Sequence, residues 1–200
     1  MKVVKVVFLI LIYKMLAFGV AFASDAAEYD VRISYTGDKK SPTIIRTQYC
    51  KGTTMKCGTQ IKKAPNGVVI FRASYDKDKY EGKVSSYYLE GTIKEERYYN
   101  EGKEEGKRIL YFPNGKMQSE QEYKFNKREG EGKKYYESGV LQESFTYENN
   151  EREGIRAEFD KNGMLQYETL YKKGKKQWMK HYDEKGTMIE EKNCRWQTCY

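Results

Sequence analysis

The stretch GKRILYFPNGKMQSEQEYKFNKRE, Gly106–Glu129, sets the period of this chain. Its opening glycine recurs as Gly58, Gly82, Gly130 and Gly154. Its second glycine, Gly115, recurs as Gly67, Gly91, Gly139, Gly163 and, one residue early, Gly186. Tyr123 recurs as Tyr75, Tyr99, Tyr147 and Tyr171. Three columns held in one phase at a spacing of 24 residues signal a stacked repeat architecture.

Each unit reads as a hairpin. The fifth residue after the opening glycine is aromatic at Tyr87, Tyr111, Tyr135, Phe159 and Tyr182, with Lys63 in the first copy. A turn follows at Pro65-Asn66-Gly67, Pro113-Asn114-Gly115, Ser138-Gly139 and Asn162-Gly163. Asn-Gly between alternating segments predicts a tight hairpin in which both residues take positive φ. The return strand carries Val69, Ile93, Met117, Leu141, Leu165 and Met188 two residues past that glycine, and the tyrosine column six residues later. An even separation places both columns on one face of a strand. An acidic column, Glu96, Glu120, Glu168 and Glu191, broken by Arg72 and Ser144, falls on the other. The expected division is a core face and a water face. Short polar connections such as Asn126-Lys127-Arg128 and Asn149-Asn150-Glu151-Arg152 join the units, each followed by a Glu-Gly pair. A helix is excluded because its recurring glycines would cost about 1 kcal/mol each relative to alanine. The pattern predicts an all-β fold, a single-layer antiparallel meander or solenoid of about six 24-residue β-hairpins over residues 58–193.

The flanks differ. Lys2 and Lys5 precede an apolar run, Val6 to Ala23, that ends in Ala21-Phe22-Ala23, the layout of a secretory signal peptide over residues 1–23. Lys14 interrupts the run, which argues against a membrane-spanning anchor. Residues 24–57 form the N-terminal cap that a repeat array needs to cover its first edge. Within it Tyr29–Tyr35 alternates apolar and polar as a half-buried strand, Asp38 to Pro42 is a turn, and Ile44-Ile45 opens another strand. Residues 194–200 make a cysteine-closed tail.

The four cysteines, Cys50, Cys57, Cys194 and Cys199, all lie outside the clean repeats. An even count behind a signal peptide suggests two disulfides. Of three possible pairings, the local one, Cys50 with Cys57 and Cys194 with Cys199, is favoured. An open array of this length separates its ends by roughly 55 Å, whereas a disulfide spans at most about 7 Å between Cα atoms. The spacings match no standard zinc pattern, so no metal site is expected.

The formal charge of +8 falls to +5 without Lys2, Lys5 and Lys14. Its distribution excludes nucleic acid as a partner, because the middle of the chain is acidic between two basic ends and offers no continuous basic face. The 14% aromatic content argues against disorder despite 33% charged residues.

At these residues a resemblance emerges. Gly106–Met117, closed by Tyr123, resembles the variant MORN repeat, and the likeness spans residues 58–193. Bacterial proteins built from such units include the YwqK-type antitoxins. The resemblance implies a β-hairpin array acting as a scaffold or binding surface, and, for the antitoxins, binding and neutralising a partner toxin. Classical MORN repeats are also associated with membranes.

No catalytic constellation accompanies the repeats. His181 is the only histidine and lacks partners, Glu129–Gly132 lacks the lysine and strand–helix context of a phosphate-binding loop, and the glutamates recur with the period. Neither enzyme chemistry nor a cofactor is expected. The periodic tyrosines read as core, which directs attention to aromatics beside or off the columns: Tyr88, Phe112 and Tyr136, with Tyr98 and Phe125. A basic last unit, Lys172, Lys173, Lys175 and Lys176 with Lys180 and Arg195, carries Trp178 and Trp196. The leading expectation is an exported, non-enzymatic protein with an extended protein-binding surface, antitoxin- or immunity-like. The alternative is a cell-surface or membrane-associated adhesion or lipid-binding protein that uses those lysines on an anionic membrane surface.

Overall fold

A computed structural model describes residues 29–194. The expected signal peptide, Trp196 and Cys199 lie outside the described residues. Fifteen strands form one antiparallel sheet, laid down in sequence order without a crossover. They are β1 (Tyr29–Thr36), β2 (Thr43–Cys50), β3 (Lys56–Lys63), β4 (Val69–Asp76), β5 (Lys79–Tyr87), β6 (Ile93–Asn100), β7 (Lys103–Glu104), β8 (Gly106–Tyr111), β9 (Met117–Lys124), β10 (Lys127–Tyr135), β11 (Leu141–Glu148), β12 (Glu151–Phe159), β13 (Leu165–Lys172), β14 (Lys175–Tyr182) and β15 (Met188–Asn193). The short β7 pairs with β6 beside β8. The meander is open, with β1 at one end and β15 at the other.

The expected single layer is present, and the region before Gly58 continues it. β1 and β2 pair in unbroken register from Tyr29↔Cys50 to Thr36↔Thr43. β1 is more exposed than its alternation predicts, with Val31 44% and Tyr35 56% accessible. Among the described residues it has a neighbouring strand on one side only, so its apolar row receives half the cover of an inner strand. Cys50 and Cys57 are joined across the β2–β3 hairpin with Cα atoms 4.9 Å apart. Cys194 is also disulfide-bonded.

The two long edges of the ribbon use different turns. At one edge, Phe112 N donates to Lys116 O at 2.8 Å and Gly115 N to Phe112 O at 2.9 Å, and the same pair of bonds closes six hairpins. Only the glycine takes positive φ, 81° at Gly115. This is a type I turn finished by a glycine bulge, not the turn with two positive φ values that Asn-Gly predicts. The asparagine acts through its side chain: Asn114 Oδ1 accepts from Lys116 N at 2.9 Å, and Nδ2 donates to the Glu137 carbonyl of the next hairpin at 3.4 Å. The turns with two positive φ values lie at the opposite edge, at Lys77–Asp78, Glu101–Gly102, Phe125–Asn126, Asn149–Asn150 and Lys173–Gly174.

Those tips are stitched to one another. Asn126 N donates to Glu104 O at 3.0 Å while Asn126 Oδ1 accepts from Glu104 N at 2.6 Å, and Asn150 repeats both bonds on Arg128. The glutamates of three of the four Glu-Gly pairs add another. Glu81, Glu129 and Glu153 accept from the backbone of Glu101, Asn149 and Lys173 at 2.8, 2.9 and 2.7 Å. The repeat therefore encodes the stacking of one hairpin tip on the next through backbone groups at the edge.

With a single layer, a side chain is covered only by neighbours on its own face. Among the described residues, no large side chain is fully buried. Cover is concentrated on the face of the tyrosine column, where Ala73, Tyr75 and Val84 are buried with Phe71, Tyr80 and Tyr99 packed around them. The opposite face is not simply the expected water face. Glu96 and Ser85 are buried there, because Lys83 pairs with Glu96 and the Tyr111 ring lies beside it with its hydroxyl on the carboxylate.

Candidate functional site

Along one side of the tyrosine face, each periodic tyrosine, and Tyr49 ahead of them, stands opposite a residue that changes from copy to copy. The pairs are Tyr49↔Lys56, Tyr75↔Tyr80, Tyr99↔Glu104, Tyr123↔Arg128, Tyr147↔Arg152 and Tyr171↔Lys176. The variable side chain reaches over the tyrosine of the next hairpin. Lys56 Nζ lies 4.9 Å from the Tyr75 centroid, Arg128 Cζ 4.1 Å from that of Tyr147, and Arg152 Cζ 5.4 Å from that of Tyr171. Tyr80 makes the same step as a ring, 4.8 Å from Tyr75 and 5.0 Å from Tyr99. The result is a ladder in which cations and aromatic faces alternate, an attraction of about 0.5–2 kcal/mol per contact according to desolvation.

The centre of this face is rich in charge. Glu95 accepts from Arg97 at 2.8 Å and pairs with Arg108 at 2.6 Å. Glu143 collects Lys134 at 2.7 Å, Arg152 at 3.1 Å and Arg156 at 2.5 Å, and Arg156 also pairs with Glu158. Burial pushes the Glu143 carboxyl up, but hydrogen bonds from Arg156 and Lys134 outweigh it and hold the group at about 2. Glu104 has the opposite balance: burial raises its carboxyl, and one of its oxygens has no hydrogen-bond partner. Between these clusters lies a cleft of about 280 Å³ whose walls include Tyr123, Arg128, Lys134, Phe145, Tyr147 and Arg152. An electropositive, aromatic-lined depression of this kind can hold an anionic or planar group of a partner. Among the described residues, no group of histidine, cysteine and carboxylate ligands suited to a metal is present. His181 is stacked on Tyr167, with centroids 4.5 Å apart.

The residues singled out by sequence fall at two separate edges. Tyr88, Phe112 and Tyr136 each begin a turn at the type I edge and are half-buried. The Tyr88 and Tyr136 hydroxyls donate to the Tyr111 and Phe159 carbonyls, both at 2.8 Å, so they tie successive hairpins together. Lys172, Lys173 and Lys175 are exposed at the last tip of the opposite edge, Lys176 is half-buried, and Trp178 lies under Lys180 at 4.9 Å. The turn glycines Gly67, Gly91, Gly115, Gly139, Gly163 and Gly186 all take positive φ in the same bulge. Off-phase Tyr98 and Phe125 are exposed.

Sequence reasoning passed over Arg128 and Arg152. Their signal was available in Arg128-Glu129-Gly130 and Arg152-Glu153-Gly154, where the residue before each Glu-Gly pair varies while its neighbours do not.

Comparison with known families accounts for the period. Residues 80–101, 104–125, 128–149 and 152–173 match the family described as MORN repeat variant, each match beginning at the variable position of the ladder. The four matches follow one another in tandem, and the same hairpin sheet extends beyond them on both sides. No curated protein matches the sequence at a significant level.

Proposed function

We propose that this MORN-type array is an exported, non-enzymatic scaffold that docks a partner protein on its tyrosine face. The observation that carries the reading is the ladder from Tyr123 to Tyr171, where tyrosine and arginine, the residue types enriched at interface hot spots, are gathered on an open cleft. The Cys50–Cys57 disulfide supports an oxidising compartment. Partner neutralisation in the manner of an antitoxin is one form such docking would take.

A photo-crosslinking residue placed at Tyr123 and, separately, at exposed Arg72 on the opposite face tests this. The expected result is a defined adduct in envelope extracts from position 123 and none from position 72. Folded protein that gives no adduct from position 123 would overturn the reading. A second reading, attachment to anionic membrane, is favoured by the exposed Lys172, Lys173 and Lys175 at a single tip. Its test is salt-sensitive flotation with anionic but not neutral liposomes.

A further inference from the structure

The cations of the central cleft are not equally occupied. Arg97 and Arg108 share Glu95, while Lys134 and Arg156 close on Glu143. Arg152 uses one nitrogen on Glu143, and its Nη1 has no hydrogen-bond partner. Arg128 makes no ion pair among the described residues. Its nitrogens donate to the Tyr147 hydroxyl at 2.9 Å and the Asn150 carbonyl at 3.4 Å, both neutral acceptors. Both guanidinium carbons stand near one ring, 4.1 and 5.6 Å from the Tyr147 centroid. A guanidinium stacked on an aromatic face keeps in-plane donors suited to a carboxylate fork.

We propose that the Arg128–Tyr147–Arg152 step takes the carboxylate of an acidic side chain in an extended peptide segment of the partner. This rests on the tyrosine face being the docking surface. The cleft, about 280 Å³, lies just under the 300–1,000 Å³ usual for free small molecules, and is open along the ladder, which suits one anchored side chain of a longer chain. The variable position makes this copy-specific: Tyr80 and Glu104 stand there in the two preceding hairpins, and Lys56 and Lys176 at the ends offer a point charge without a planar fork, so two guanidiniums meet over one ring at a single place along the described array. The neutral partners of Arg128 also mean that the incoming carboxylate displaces no internal acid.

The test uses the full chain and a fluorescein-labelled peptide with alternating glutamate and alanine, with a lysine–alanine peptide as control, followed by anisotropy. The expected result is salt-sensitive binding of the acidic peptide alone, weakened at least tenfold by Arg128→Gln and unchanged by Arg72→Gln on the opposite face. Tyr147→Phe, which keeps the charge and frees Arg128, should weaken binding less than Arg128→Gln does. Circular dichroism melts confirm that each variant is folded. Absence of acidic-peptide binding, equal binding by wild type and Arg128→Gln, or Arg128-dependent binding to anionic vesicles in place of peptide would each overturn the proposal. If position 123 still crosslinks a partner while the peptide fails, the docking face stands and the carboxylate assignment falls. Loss of both removes the docking face itself.

Discussion

The Tyr111 hydroxyl donates to Glu96 Oε2 at 3.2 Å, a bond that recurs from copy to copy along the second face. Tyr135 repeats the bond on Glu120 at 3.4 Å and Tyr182 on Glu168 at 2.6 Å. The copy with Ser144 in place of the acid has Phe159 in place of the tyrosine. The copy with Arg72 in place of the acid keeps Tyr87, so the bond joins the two columns only where the glutamate is present. Lysine completes it at Lys83 and Lys107, the latter 2.9 Å from Glu120.

A double-mutant cycle on this pair should show coupling. Hydrogen bonds to charged groups contribute about 1.5–3 kcal/mol at best, and partial exposure lowers this, so Tyr111→Phe and Glu96→Gln should couple by about 1 kcal/mol in urea unfolding. Phe159→Tyr, which meets no carboxylate, should change stability by less than about 0.5 kcal/mol. Strict additivity of the first two variants would show that the columns are independent.

Two carboxylates of the tyrosine face, buried Glu143 and half-buried Glu104, should respond to pH in opposite senses. Glu143 is held at about 2 against an ordinary 4.5, so its contribution is fully present above pH 4.5 and is lost as pH falls towards 2. At about 1.4 kcal/mol per unit, Glu143→Gln should cost about 3 kcal/mol at pH 7, and the gap to wild type should close near pH 2. Glu104 is raised, by burial first, so the folded state favours its protonated form. That preference is satisfied below pH 4.5 and is lost as pH rises, so Glu104→Gln should stabilise at pH 7 and make no difference in acid. Denaturant melts of both variants at several pH values check the signs. Parallel behaviour of the two would refute the assignment.

Gly132 has an ordinary φ, and its missing side chain is explained by packing. A Cβ there would overlap the Phe145 ring and the Gln121 amide oxygen. Gly132→Ala should therefore destabilise by about 1–3 kcal/mol through overpacking. Combining it with Phe145→Leu should cost less than the sum of the two single changes. An additive pair would indicate that the glycine serves backbone freedom alone.

The fold was legible because period-2 alternation and the 24-residue spacing both survive in the bare sequence. Faces were legible less well. The parity of Glu96 correctly placed it opposite the tyrosines, yet parity carries no information on burial, and Lys83 and Tyr111 cover it from neighbouring strands. Turn chemistry was misread for a related reason. Asn114 serves its turn through the side chain, so a residue pair that usually marks positive φ marks a different bond here. The ladder was hidden because Arg128 and Tyr147 are 19 residues apart and meet only once the register between hairpins is known. Columns of identity reveal packing, while the site lies in the column where copies differ.

Phe125 supplies the last test. It occupies the first position of a tip turn at φ 51°, a left-handed conformation, and is 56% exposed. Bulky residues adopt that conformation at a cost, whereas asparagine tolerates it, as Asn149 does at the equivalent tip. Lys103 over the ring at 5.4 Å returns part of the cost, about 0.5 kcal/mol for an exposed contact. Phe125→Asn should leave a net gain of about 0.5 kcal/mol, a rise of roughly 1–2 °C in melting temperature for a chain of this size. Phe125→Ala should lose the ring contact without relieving φ, and so fall below wild type. A melting temperature that drops equally in both variants would mean that the ring, not the backbone, determines the stability of this tip.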